Sequence, residues 1–261
     1  MPAASHRVLT RLFQQDLNFT PTMADIARFE RDLAVVSPSL MRDALIELSK
    51  GKSRRPAGAG QWRDAIYAIY NRKVAEHAQL FPVFHCFETA FRSRVAVTLE
   101  EHYRTAQWWA PAAGAISGSA NMNTVTRIGV IHPVMADRRR AIHLMTADMI
   151  QWKLDVMTFA DGYELLEHST LKQVKRLLSS HWPLFRHFFV NANGQPIMQA
   201  VVEGKFERVN SARNSVYHHL SFSGMTDVYT TADELLACIG FRLPPVHRAI
   251  ENATCAAPPY F

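Results

Sequence analysis

A chain of 261 residues with 48% hydrophobic and 20% charged side chains can bury a substantial core, which excludes wholesale disorder and fibrous architectures. Its net charge of +6 is carried by 29 basic residues, of which only seven are lysine, and arginine's planar fork favours a polyanionic partner. No apolar run approaches the ~18–20 residues of a membrane span, and residues 1–17 lack a secretory apolar block, so a soluble cytoplasmic protein is expected.

Residues 23–36 form a short amphipathic segment closed by Ser37-Pro38, and Ser39 can cap a helix over 40–48 that ends at Gly51. A basic, glycine-rich connector over 51–60 follows. The body opens with a helix over 62–80. A second helix follows Pro82, with Phe84, Phe87, Phe91, Val95 and Leu99 as a buried stripe. Trp108-Trp109-Ala110-Pro111 closes that region, and 112–126 is small and polar enough to predict a long loop, an insertion of about 110–126. Ile142, Met145, Met149, Trp152, Val156 and Phe159 then share one helical face. Gly162 breaks it, and 163–178 resumes the helical pattern. Asn191-Ala192-Asn193-Gly194-Gln195-Pro196 is a turn cluster. A long helix runs from about 197 towards 220, and another covers 232–239.

Strand signals are almost absent, so the expectation is an all-α chain, read as one helical domain over 1–261 with N-terminal helices over 1–50. Cys86, Cys238 and Cys255 are too scattered for a disulfide framework and are expected as buried or neutral thiols. The histidines show no zinc-binding spacing, so no metal and no cofactor is expected.

The chemistry concentrates in Ser211-Ala212-Arg213-Asn214-Ser215-Val216-Tyr217-His218-His219. Val202, Phe206, Val209, Val216 and Leu220 define an apolar stripe, with Arg213 near its middle. A guanidinium there needs a carboxylate such as Glu88, or a cleft or subunit interface that admits an anion. Asn214 and His218, four apart, share a different face. On a regular helix His218 sits roughly 140° around from Arg213. The two can serve one ligand only if the helix ends or bends between them, or if two copies meet.

This segment resembles the Arg-Asn-x-x-x-His-His motif of HEPN-domain RNases, and more narrowly that of the Abi-like (abortive infection) bacterial family. Glu88-Thr89-Ala90-Phe91-Arg92-Ser93-Arg94 resembles the same family's Glu-x-Ala-Leu-Arg-Asn-x-Ile helix, with Ser93 where the family has Asn. Trp108-Trp109 and 154–159 extend the likeness over about 62–241. The resemblance implies a HEPN-like helical bundle that cleaves RNA without metal in phage defence or as a toxin. It further implies a homodimer through the Arg213–His218 helix, and it admits an antitoxin partner.

The residues can support that chemistry. The ribose 2′-hydroxyl is the nucleophile, so the protein moves protons and stabilises charge. His218 can exchange a proton near neutral pH, since an unperturbed imidazole titrates near ~6.5. Arg213 can hold the phosphate and its developing charge, and Asn214 can orient the phosphate or a ring. His219 is either a supporting donor or simply exposed. Glu88 and Arg92, four apart, read as a helix-surface pair worth ~0.3–0.5 kcal/mol or as support for the site. Arg138-Arg139-Arg140 could grip an RNA backbone or form a solvated face, and Trp108, Trp109 and Trp182 could stack on bases or fill the core. A non-catalytic module binding RNA or a nucleotide through the same residues is the alternative.

Overall fold

The computed structural model describes residues 22, 24, 27–28, 31–32, 34–50, 59–118, 133–191, 193–220 and 222–243. Among them the elements are all helical, and the β-pairing is a single isolated bridge between Val190 and Pro196. The all-α class read from the sequence is therefore the class of the fold. The helices are α1 (Pro38–Lys50), α2 (Ala59–Tyr103), α3 (Ala110–Gly118), α4 (Pro133–Gln151), α5 (Gly162–Glu167), α6 (Leu171–Ser180), α7 (Trp182–Phe185), α8 (Gln199–Tyr217) and α9 (Met225–Cys238). None is long and apolar enough to cross a membrane. Of the expected connector over 51–60, residues 51–58 lie outside the described residues, as does Cys255, and its last two, Ala59 and Gly60, already belong to α2 instead of a loop.

The chain divides into two compact units: Met1–Phe81 with Ser211–Thr226, and Pro82–Asn210 with Asp227–Phe261. The division groups the Arg213–His219 segment with the N-terminal helices, whereas the sequence reading placed it with the core over about 61–241.

In the first unit, Leu40, Met41, Ala44, Leu45 and Leu48 bury one face of α1. Met41, Ala44, Leu45 and Leu48 share a core with Trp62 and Ile66 of α2. α1 starts two residues before the expected position. Ser37 is its N-cap, its carbonyl accepting from the Met41 amide at 3.0 Å, and Pro38 takes the first helical position, where a missing amide hydrogen costs nothing. Around this core Arg63 pairs with Asp32 at 2.7 Å, and Arg72 and Lys73 both pair with Glu47.

Two expected helices around Pro82 are one element, since α2 carries Pro82 inside it. Proline removes one intrahelical hydrogen bond, a loss of ~3 kcal/mol in an isolated helix, and tertiary packing overrides it here.

The second unit is organised by α2 beyond Pro82. Phe84, Phe87, Phe91, Val95 and Leu99 are fully buried, as their spacing predicts. Phe206 of α8 packs against Phe87 and Phe91 with ring centroids 5.0 and 5.1 Å away. The predicted loop at 112–126 begins as helix instead. Ala110–Gly118 is alanine-rich and carries Pro111 in its first turn, where proline is tolerated, and the remainder lies outside the described residues.

The predicted face of α4 holds at Ile142, Met145 and Met149, which are buried, and fails at Trp152, which is 48% exposed. α4 ends at Gln151 because Lys153 takes a positive φ of 64° and the Leu154 amide turns back to the Met149 carbonyl. Val156 and Phe159 are buried from the connecting turn rather than from a helix. Gly162 then passes so close to Trp108 that a Cβ would lie 2.4 Å from its indole nitrogen, so only glycine fits.

The expected helix over 163–178 splits into α5 and α6. Thr170 caps α6 through a reciprocal box with Gln173, and the Gln173 amide donates to Asp148 of α4 at 2.8 Å. α9 starts seven residues before the expected Ala232. Trp108 and Trp109 are buried and Trp182 stacks on Phe189, so all three are packing residues, and Trp109 donates to the Val156 carbonyl at 2.8 Å. Cys86 and Cys238 are half-buried thiols whose pKa burial pushes up, which keeps them neutral.

Candidate functional site

α8 stops at Tyr217, between Arg213 and His218. The terminus is a Schellman turn. The Leu220 amide donates to the Ser215 carbonyl at 2.7 Å and the His219 amide to the Val216 carbonyl at 3.1 Å. His219 occupies the left-handed position of that turn, at φ 53°, where glycine is the usual residue. A non-glycine side chain in this conformation is strained, and it sits here at the last residue of the motif that the sequence singles out.

Because the helix ends there, the histidines leave its cylinder. His218 and His219 both line a cavity of about 1110 Å³ in the first unit. Its wall also carries Arg42 and Ser37 from the α1 region, and Tyr70 and His77 from α2, with Val74, Phe81 and Val216 among its apolar members. His218 and His219 are exposed, and so is Arg42, which makes no ion pair among the described residues. Ser37 ties the wall together. Its amide donates to the Tyr70 hydroxyl at 3.1 Å and its hydroxyl to the His219 carbonyl at 2.8 Å.

Arg213 lies elsewhere than the stripe arithmetic placed it. The buried position between Val209 and Val216 belongs to Ala212, three residues after Val209 instead of four, and Arg213 is half-buried at its edge. Leu220, expected on the stripe, is 50% exposed because the helix has already ended. The Arg213 guanidinium stands 4.3 Å over the Tyr217 ring and donates to the Asn214 side-chain oxygen at 3.1 Å. Tyr217 packs edge-on against Phe81, 5.2 Å between centroids, and Phe81 lines the cavity. Arg213 and Asn214 themselves are not wall residues.

His77 and Arg42 are the site residues that sequence reasoning missed. His77 shares an α2 face with Tyr70, Val74, Ala78 and Phe81, and a lone histidine on an apolar face reads as core. Only the arrival of His218 and His219 opposite it gives it meaning. It is 7% exposed, and its Nδ1 is enclosed without a hydrogen-bond partner among the described residues. Burial depresses its pKa, Glu76 opposes that, and the neighbouring His219 and Lys73 charges push it further down. The net effect disfavours the charged form of the His77 ring.

The remaining predicted residues fall in the second unit. Glu88 and Arg92 form an ion pair at 3.1 Å, but the side chains are only 9% and 16% exposed, so the surface-pair reading is corrected. Arg92 also donates to the Ser169 carbonyl at 3.0 Å, which makes the pair an anchor for the turn between α5 and α6. Arg138 is half-buried and Arg139 and Arg140 are exposed along α4. Among the described residues, no three His, Cys, Asp or Glu side chains cluster as metal ligands would.

Compared with models of protein families, with curated proteins and with solved structures, the chain matches none.

Proposed function

We propose that this protein is a HEPN-type endoribonuclease that cleaves RNA without a metal ion, acting in the cytoplasm in phage defence or as a toxin. The observation that carries this reading is the end of α8 at Tyr217, which delivers His218 and His219 to one cavity wall with Arg42 and His77. In the reaction the ribose 2′-oxygen attacks the adjacent phosphorus and the bond to the 5′-oxygen breaks. The products are a 2′,3′-cyclic phosphate and a 5′-hydroxyl. His218 exchanges the proton at one of these oxygens, and a second imidazole, from His219 or from the other copy of a homodimer, serves the other. Arg42 at the wall, and Arg213 in a dimer that brings two α8 ends together, stabilise the charge that grows on the phosphoryl oxygens. An antitoxin that covers the cavity would silence the activity.

A second reading is favoured by one observation. Arg213 is engaged by Tyr217 and Asn214 and stays off the cavity wall, as suits a module that binds RNA or a nucleotide without cutting it. One experiment separates the two. Purified protein is incubated with total RNA in excess EDTA beside His218→Ala and Arg213→Ala, and the ends of any fragments are mapped. Cleavage with cyclic-phosphate ends that both substitutions abolish supports the enzyme. Three equally inert proteins that still bind RNA support the module.

A further inference from the structure

A second, smaller recess lies between α4 and α6. It measures about 400 Å³ and is lined by Arg140, Ala141 and Leu144 from α4, Arg176, Ser179 and Ser180 from α6, and Gln199 at the start of α8. Among the described residues, no carboxylate stands in its wall. The recess is held open by defined contacts: α4 packs on α6, and the Gln173–Asp148 hydrogen bond ties the two helices together.

The polar groups of this wall divide into those already used and those that are not. The Ser180 hydroxyl donates to the Leu177 carbonyl at 3.0 Å, and the Gln199 amide donates to the Ser179 carbonyl and to Glu203. The backbone amide of His181 covers the Leu177 and Ser179 carbonyls, so the negative end of α6 is satisfied by its own neighbours. What remains is a set of donors: the Arg140 and Arg176 guanidiniums and the Ser179 hydroxyl, none with a hydrogen bond or ion pair among the described residues. The adjacent Lys175 differs, because Glu207 neutralises it. Two guanidinium forks and a hydroxyl, with no acid between them, match the oxygens of a phosphate group.

We propose that this recess is a phosphodiester-binding subsite that grips the backbone of single-stranded nucleic acid, with Arg176 and Arg140 as its contacts. Arg138 and Arg139 precede Arg140 on α4 and, although they leave the helix in other directions, they add positive charge to it, which favours a polyanion over a lone phosphate. Nucleic acid as the polyanion rests on the ribonuclease reading above; the anion chemistry does not.

The test uses the full chain in EDTA and a labelled oligodeoxythymidylate of about 20 nucleotides, followed by fluorescence anisotropy across a salt series. Without a 2′-hydroxyl the probe cannot be cut, so binding is read apart from cleavage. Arg176→Ala and Arg140→Ala are each expected to weaken binding roughly 5- to 10-fold and to lower the log–log salt slope by about 0.7. Arg186→Ala, an exposed arginine outside the recess, is expected to bind as wild type does. The proposal is overturned if Arg176→Ala binds like wild type, or if Arg186→Ala loses as much affinity, since the effect would then be net charge. It is also overturned if wild type cleaves RNA yet ignores the probe, an outcome that leaves the ribonuclease reading intact. Recess-dependent binding by a protein that never cuts RNA supports the subsite and removes the nuclease instead.

Discussion

The Ser37 hydroxyl donates to the His219 carbonyl at 2.8 Å across 182 residues of sequence, joining the cap of α1 to the turn that ends α8. Ser37 thereby fixes both its own helix start and the backbone of the motif. Ser37→Ala removes the hydroxyl that caps α1 and holds this carbonyl. A loss of about 1 kcal/mol in urea unfolding is expected, with Ser37→Thr closer to wild type. Equal stability of the serine and alanine forms would show that the bond contributes nothing in solution.

His219 holds a left-handed conformation that its side chain disfavours. Gly240 occupies the matching position after α9, where the Phe241 amide returns to the Leu236 carbonyl, and there the sequence has the residue the geometry prefers. His219→Gly is expected to raise stability by up to about 1 kcal/mol, and His219→Val to lower it, measured by thermal unfolding. If the glycine form is also slower at cutting RNA, strain has been kept for the sake of the imidazole.

Stability will fall as acid is added, and His181 is a principal cause. It is fully buried, its Nδ1–H donating to the Leu177 carbonyl at 2.9 Å and its Nε2 accepting from the Tyr103 hydroxyl at 3.0 Å. That arrangement needs the neutral ring. Burial lowers its pKa to about 4, against a partial upward pull from the Leu177 carbonyl. Above pH ~6.5 neither the folded nor the unfolded ring is charged; below it the unfolded ring takes a proton that the folded one refuses until about pH 4. The contribution is thus complete above pH ~6.5 and disappears as the pH falls, on the order of 3 kcal/mol from this residue. His77 and His143, both depressed by burial, add in the same direction. Urea unfolding at pH 7 and pH 4.5 measures the difference. The double variant His181→Phe with Tyr103→Phe, which leaves no orphaned hydroxyl, should show a shallower pH dependence.

The buried position of the Glu88–Arg92 pair makes it far more sensitive than a surface pair. Arg92→Ala leaves Glu88 without its guanidinium and the Ser169 carbonyl without its donor. A loss of about 3 kcal/mol is expected from chemical denaturation, against the few tenths of an exposed i,i+4 pair. A loss below about 1 kcal/mol would return the pair to the surface class.

The helical class, the phenylalanine stripe of α2 and the turn at 191–196 were legible because each is written in local periodicity or turn chemistry. The Asn191 side chain accepts from the Asn193 and Gln195 amides as such a cluster predicts. Pro82, the start of α3 and the exposure of Trp152 were misread for a common reason: local propensity is a weak term that long-range packing outvotes.

The site divides along the same line. By itself the chain's order of residues determined which groups could do chemistry, since Arg213, Asn214, His218 and His219 are adjacent in it. Tertiary structure alone decided which of them meet a cavity. The difference between Ala212 and Arg213 on the buried face is one residue of helical phase, and the end of α8 depends on hydrogen bonds and on a serine far away in the chain. Arg42 and His77 join the site only when separate helices pack together, a step that no local pattern encodes.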